Sequence, residues 1–104
     1  LQRSLPDAPK EEDLRPLRVL IDEIDRAVIK LLNRRAEYAN DIGHIKKRLG
    51  LPVYVPSREK EVIRNVIEAN EGPLESDAVR RLFERIIDET RALERRKYQD
   101  DSNV

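Results

Sequence analysis

The chain has 104 residues, with 21 Lys+Arg against 21 Asp+Glu for a formal charge of zero, 40% charged against 38% hydrophobic residues, one His and no Cys. One domain suits this length, because two would each be too small to bury a core. Balanced charge argues against a dedicated nucleic-acid binder. The lack of Cys excludes a disulfide framework, a thiolate nucleophile and Cys-ligated zinc, and a single His excludes a His-rich metal site. No apolar run approaches the roughly 20 residues that cross a bilayer. The expectation is therefore a cytoplasmic protein with no nucleic-acid or membrane partner, no metal and no cofactor. It opens on Leu1 rather than Met, as a processed chain or a piece of a longer one would.

Residues 1–13 carry two prolines and scattered charges without a sustained period, which predicts a mobile leader. From Leu14 to Leu49 the apolar positions fall at heptad spacing in two rows. Leu14, Ile21, Val28, Ile42 and Leu49 form one, and Leu17, Ile24, Leu31, Tyr38 and Ile45 form the other. This predicts a long helix with Pro16 in its first turn, where the missing N–H has no partner to lose. At about 1.5 Å per residue it would be roughly 50 Å long, and it needs something to lie against along its whole length. Gly50, Pro52 and Pro56 predict the break that follows. A short second helix should be capped by Ser57 and turn Val62, Ile63, Val66 and Ile67 inward. Residues 70–73 supply stop signals. A medium third helix, capped by Ser76 or Asp77, should bury Val79, Leu82, Phe83, Ile86, Ile87 and Leu93 before a polar tail from Gln99. The fold class is all-α, with three helices (long, short, medium) over a domain of residues 14–98 and a tail of 99–104. Two shorter helices cannot cover the long seam, so an intertwined antiparallel homodimer is expected.

The informative positions are polar residues at apolar slots. Arg35 occupies the slot between Val28 and Ile42, and Lys46, eleven residues on, lies on almost the same face. Arg35 alone could snorkel outward or pair with a core carboxylate, but two cations on one inward stripe repel and suggest an anion between them. On the third helix the apolar stripe continues as Thr90 and Glu94, an i,i+4 pair. A Thr there can pack its methyl and bond back to the backbone, and Glu94 can neutralise Arg35 or Lys46. Arg18 lies 28 residues before Lys46, about 42 Å along one helix, so the two reach one small ligand only across an antiparallel dimer. Arg58 and Glu59 open the second helix, where a solvated first turn is the commoner role. Asp22, Glu23, Lys30, Glu68 and the run Arg95, Arg96, Lys97 read as solvated faces, and His44 as a surface residue.

These residues resemble the all-helical class of chorismate mutases. The likeness runs through LRVLIDEIDRAVIKLLNRRAEYANDIGHIKK (17–47), PVYVPSREKEVI (52–63) and RLFERIIDETRALE (81–94), with Arg18, Arg35, Lys46, Arg58, Glu59, Thr90 and Glu94 at the family's active-site positions. The resemblance implies an isomerase that rearranges chorismate to prephenate in phenylalanine and tyrosine biosynthesis. It implies that Arg18 enters the neighbouring subunit's pocket to bind one substrate carboxylate while Arg35 binds the other. Lys46 would bond the ether oxygen and a carboxylate, Glu59 would accept from the ring hydroxyl, Arg58 would orient the pocket, and Thr90 would stand where the family often has Ser. Two departures matter: Val55 lies where some members carry Asp, leaving only its backbone N–H to contribute, and Glu94 lies where many carry Gln. The alternatives are an isochorismate pyruvate-lyase of the same architecture and a noncatalytic dimerisation or regulatory domain of a fused shikimate-pathway enzyme. A pericyclic rearrangement needs no nucleophile, metal or redox cofactor, which suits this composition.

Overall fold

The computed structural model describes residues 5–102, with side chains through residue 96, so the first four residues of the expected leader, the last two of the tail and the Lys97 side chain lie outside the described residues. It divides into two compact units that meet between Arg34 and Arg35. Helix α1 spans Leu14–Leu49, α2 Pro56–Ala69 and α3 Ser76–Ser102, with no strand among the described residues.

In the first unit a 3-10 turn, Glu11–Asp13, already lies within the expected leader. The Asp13 carboxylate accepts the Lys10 N–H at 2.8 Å while the Asp13 N–H donates to the Lys10 carbonyl at 3.0 Å, which closes the turn from both sides. From Leu14 the chain is helical, with Pro16 as its third residue and no Gly or second Pro before Gly43. The heptad rows are present, yet Ile21, Ile24, Val28, Ile29 and Leu31 are each 46–60% exposed.

In the second unit α1 ends where the sequence places its stop. Gly50 takes φ +66°, its N–H donates to the Lys47 carbonyl at 3.1 Å, and the Leu51 N–H donates to the Lys46 carbonyl at 2.8 Å. This pair of bonds satisfies the last carbonyls in a left-handed cap that favours glycine. The start of α2 differs from the expectation that Ser57 caps it. Val55, in extended conformation, is the N-cap, Pro56 is the first helical residue, and the Val55 carbonyl accepts the N–H groups of Arg58 and Glu59 at 3.1 and 3.3 Å. Proline's fixed φ starts the helix one residue before a serine could cap it. After α2, the Asn70 side chain accepts the Gly72 N–H and donates to the Leu74 carbonyl, folding the turn before α3. Ser76 is the first residue of α3, one position inside the expected cap, and the Val79 N–H bonds to the Glu75 carbonyl.

The core of this unit is small. Ala39 and Gly43 of α1 and Val79 and Ile87 of α3 are buried, flanked by half-buried Val62, Ile63, Val66 and Ile67 of α2. Leu82, expected inside, is 53% exposed. The α3 helix continues through Ser102, across most of what the sequence suggests is a polar tail. No helix among the described residues is long and apolar enough to cross a membrane.

Gly43 sets the approach of α1 to α3, because a Cβ there would lie 3.5 Å from the Glu94 carbonyl oxygen and 3.6 Å from its Cα. One methyl fits as an ordinary contact and a longer side chain does not. Gly43→Ala is expected to stay within about 1 kcal/mol of the parent in denaturant unfolding, and Gly43→Leu to lose about 1–3 kcal/mol. Equal stabilities for the two variants would contradict this packing.

Candidate functional site

The second unit contains a cavity of about 340 Å³, within the size range of small-molecule sites. Arg35, Lys46, Val55, Arg58, Glu59, Thr90 and Glu94 all line it. Of the residues singled out in the sequence, Arg18 alone is not in its wall; it is exposed on the first unit's part of α1.

Each polar side chain is held by a specific partner. Arg35 donates from Nη1 to the Thr90 hydroxyl at 2.7 Å, and that hydroxyl donates in turn to the Ile86 carbonyl, one turn back on α3, at 2.7 Å. The backbone bond expected of Thr90 is present, and the same hydroxyl does more: its proton satisfies the backbone while its lone pair aims the guanidinium. Lys46 donates to the Val53 carbonyl at 2.8 Å, tying the connecting segment to α1, and reaches Glu94 Oε2 at 3.4 Å. An ammonium has three donors, so one remains for a ligand. Glu94 is buried to 8% exposure, and Lys46 is the cation paired with it. Arg58 pairs with Glu61 on the exposed first turn of α2. Also in the lining, Arg91 of α3 pairs with Glu59, lies 3.6 Å from Asp88, and stacks over the Tyr54 ring at 4.6 Å from its centroid.

The electrostatics favour an anion. Arg35, Lys46, Arg58 and Arg91 face two carboxylates, Glu59 and Glu94, so the lining carries two net positive charges when both acids are ionised. Burial pushes the Arg35 guanidinium below its ordinary range, the charge of Arg58 adds in the same direction, and Glu94 opposes them. A cation disfavoured by both desolvation and a like charge is relieved by a bound anion. The larger groove of about 650 Å³ along α2 and α3 lacks this bias, since Lys60, Arg64, Arg80 and Arg91 are matched there by Glu59, Glu68, Glu84 and Asp88.

Two participants escape the sequence reading. The Val53 carbonyl has no side-chain signature. Arg91 does have one: it continues the i,i+4 row Val79, Phe83, Ile87, and its charge on that row marks it as clearly as Thr90 and Glu94 are marked on theirs. Asp22, Glu23, Lys30, His44 and Glu68 are exposed, as expected, and so are Arg95 and Arg96.

The family model described as chorismate mutase type II matches residues 17–95. The bifunctional chorismate mutase/prephenate dehydratase of Aquifex aeolicus is 36% identical over 89 residues, which cover 82% of this chain and 25% of that protein. The chorismate mutase of Methanocaldococcus jannaschii is 30% identical over 93 residues, covering 88% and 94% respectively. The solved structure of chorismate mutase (form II) from Thermus thermophilus superposes with a TM-score of 0.79 at 34% identity, covering 80% of this chain and 94% of that one. This chain therefore spans about a quarter of the length of the bifunctional relatives it matches and nearly all of the archaeal and Thermus proteins. With the matched segment taking in well over half of its length, the chain belongs to the chorismate mutase type II family.

Proposed function

We propose that the chain is a cytoplasmic chorismate mutase that works as a homodimer, with Arg18 of each subunit completing the other's site. The observation that carries this reading is the cavity around Arg35 and Lys46, whose lining holds two more cations than carboxylates. Chorismate is a dianion of matching charge. Its rearrangement to prephenate breaks the ether C–O bond as a new C–C bond forms within one molecule, so the protein has only to hold the compact conformer and stabilise charge that develops on the ether oxygen. Arg35, already aimed by Thr90, binds one carboxylate. Lys46 uses its remaining donor on the ether oxygen. Glu59 accepts from the ring hydroxyl, the Val55 N–H adds a donor at the same end, and Arg58 orients the pocket. The second carboxylate falls to Arg18 of the partner. The dimer is further supported by the exposed apolar rows of α1, which a second copy would cover. The direct test incubates the purified protein with chorismate and identifies the product. Prephenate is expected, whereas release of pyruvate, or no loss of chorismate by the folded protein, rejects the assignment.

Arg35→Ala is expected to lose about 10²-fold or more in rate while its melting temperature stays close to the parent's, because the deleted charge is one the empty site disfavours. Lys46→Ala should lose both activity and stability, since it leaves the buried Glu94 without its cation. An Arg35→Ala protein that melts early but turns over normally would make Arg35 structural.

Mixing Arg18→Ala subunits with Lys46→Ala subunits is expected to restore one complete site per heterodimer. If the mixture stays as inactive as its parents after verified subunit exchange, the sites are not shared.

Glu94 can donate a hydrogen bond to the ether oxygen only when protonated, since a carboxylate only accepts. Glu94→Gln, which donates without needing an added proton, is therefore expected to keep or raise turnover. A folded, dimeric Gln variant inactive across the pH range would mean that the negative charge itself is required.

A further inference from the structure

Arg91 enters the reading above only as one of the four cations lining the cavity, yet it also makes a largely buried ion pair with Glu59. We propose that Arg91 is a positioning residue that holds the Glu59 carboxylate at the cavity wall, with one oxygen engaged and the other presented to a ligand hydroxyl. This deepens the proposed mutase function and rests on it. Arg91 Nη2 takes Glu59 Oε1, which leaves Oε2 as the acceptor for substrate. Both side chains are about three-quarters buried, at 26% and 24% exposure, so water screens the pair less than it screens the exposed Arg58–Glu61 and Arg85–Glu89 pairs. The guanidinium has two further neighbours besides Glu59. Tyr54 lies under its face at 4.6 Å, and Asp88, one turn back on α3, is 3.6 Å away. A planar fork with a ring against its face and a second carboxylate beside it is restrained in orientation, which is what a positioning group requires.

The consequence of losing it follows from the charges in the same cavity. Glu59 shares the lining with Arg35, Lys46 and Arg58. A carboxylate released from Arg91 is drawn toward those cations and neutralises charge meant for the substrate dianion. Arg91 thus both aims Glu59 and keeps it from quenching the anion site. Because Glu59, Ile87 and Arg91 also line the larger α2–α3 groove, the pair forms part of the wall between the two cavities.

The test measures kcat and KM for chorismate in the parent, Arg91→Met, Arg91→Lys, Glu59→Gln and the Arg91→Met/Glu59→Gln double variant, with thermal unfolding alongside. Arg91→Met is expected to lower kcat/KM by about 10- to 100-fold, through both a lower kcat and a higher KM, as misplacement of a substrate-contacting group does. Arg91→Lys keeps the charge without the fork and should recover part of that loss. In the Glu59→Gln background Arg91→Met should cost much less, because the group it positions is already gone and only its share of the cavity charge is lost. Equal losses in the two backgrounds, or parent-like kinetics for Arg91→Met, would overturn the proposal. If Arg91→Met fails to fold, Tyr54→Leu, which removes the ring beneath the guanidinium, is put through the same cycle, with its loss again expected to be much smaller in Glu59→Gln. A parent that is folded and does not convert chorismate overturns the functional reading itself, whereas an active parent with an indifferent Arg91 overturns this inference alone.

Discussion

The second unit is organised around cationic charge kept away from water. Arg35 sits where burial and Arg58 both disfavour its charge, and Lys46 is ion-paired with the buried carboxylate of Glu94. Left alone, such a cluster costs stability. It persists because each cation is also a structural donor: Arg35 bonds the Thr90 hydroxyl, and Lys46 bonds the Val53 carbonyl that shapes the route into α2. The proposed binding chemistry and the local architecture share the same atoms.

That sharing explains the shape of the connecting segment and the packing of α3. The Gly50 cap turns the chain out of α1, Lys46 pulls Val53 back, and Pro56 starts α2 with Arg58 and Glu59 in its first turn. Gly43 lets α3 come close enough for Glu94 to reach the same ammonium. The hydrophobic core around these polar links is thin, with Ala39, Val79 and Ile87 as its buried apolar side chains among the described residues. Polar links and the apolar packing between α2 and α3 therefore carry much of the definition of this unit.

The exposed apolar rows on the first unit's part of α1 are the counterpart of that thin core. Side chains such as Ile24 and Leu31 would normally be inside a domain of this size. Their exposure, on the same stretch of helix that carries Arg18, is the observation that supports the proposed homodimer.

Sequence alone determined the helices and, through the same periodicity, marked Arg35, Lys46, Thr90 and Glu94 of the cavity lining, whereas Val55, Arg58 and Glu59 were drawn in by the family resemblance. A heptad pattern from Leu14 to Leu49 admits only a helix, Gly50 and the prolines admit only a break, and polar residues stand out most clearly when they interrupt an apolar row, as Arg35, Thr90 and Glu94 do. Element ends were less legible, since Ser57 and Ser76 have the composition of caps while Pro56 and the Glu75 carbonyl set the actual starts. The tertiary structure decided the pairings. That Thr90 bonds Arg35 as well as its own backbone, that Glu94 meets Lys46, and that Arg91 is the partner of Glu59 rather than a surface charge depend on distances between segments 30 to 60 residues apart. Local patterns record which face a side chain occupies; only the packing of α1, α2 and α3 within the second unit brings two such faces to within hydrogen-bonding reach.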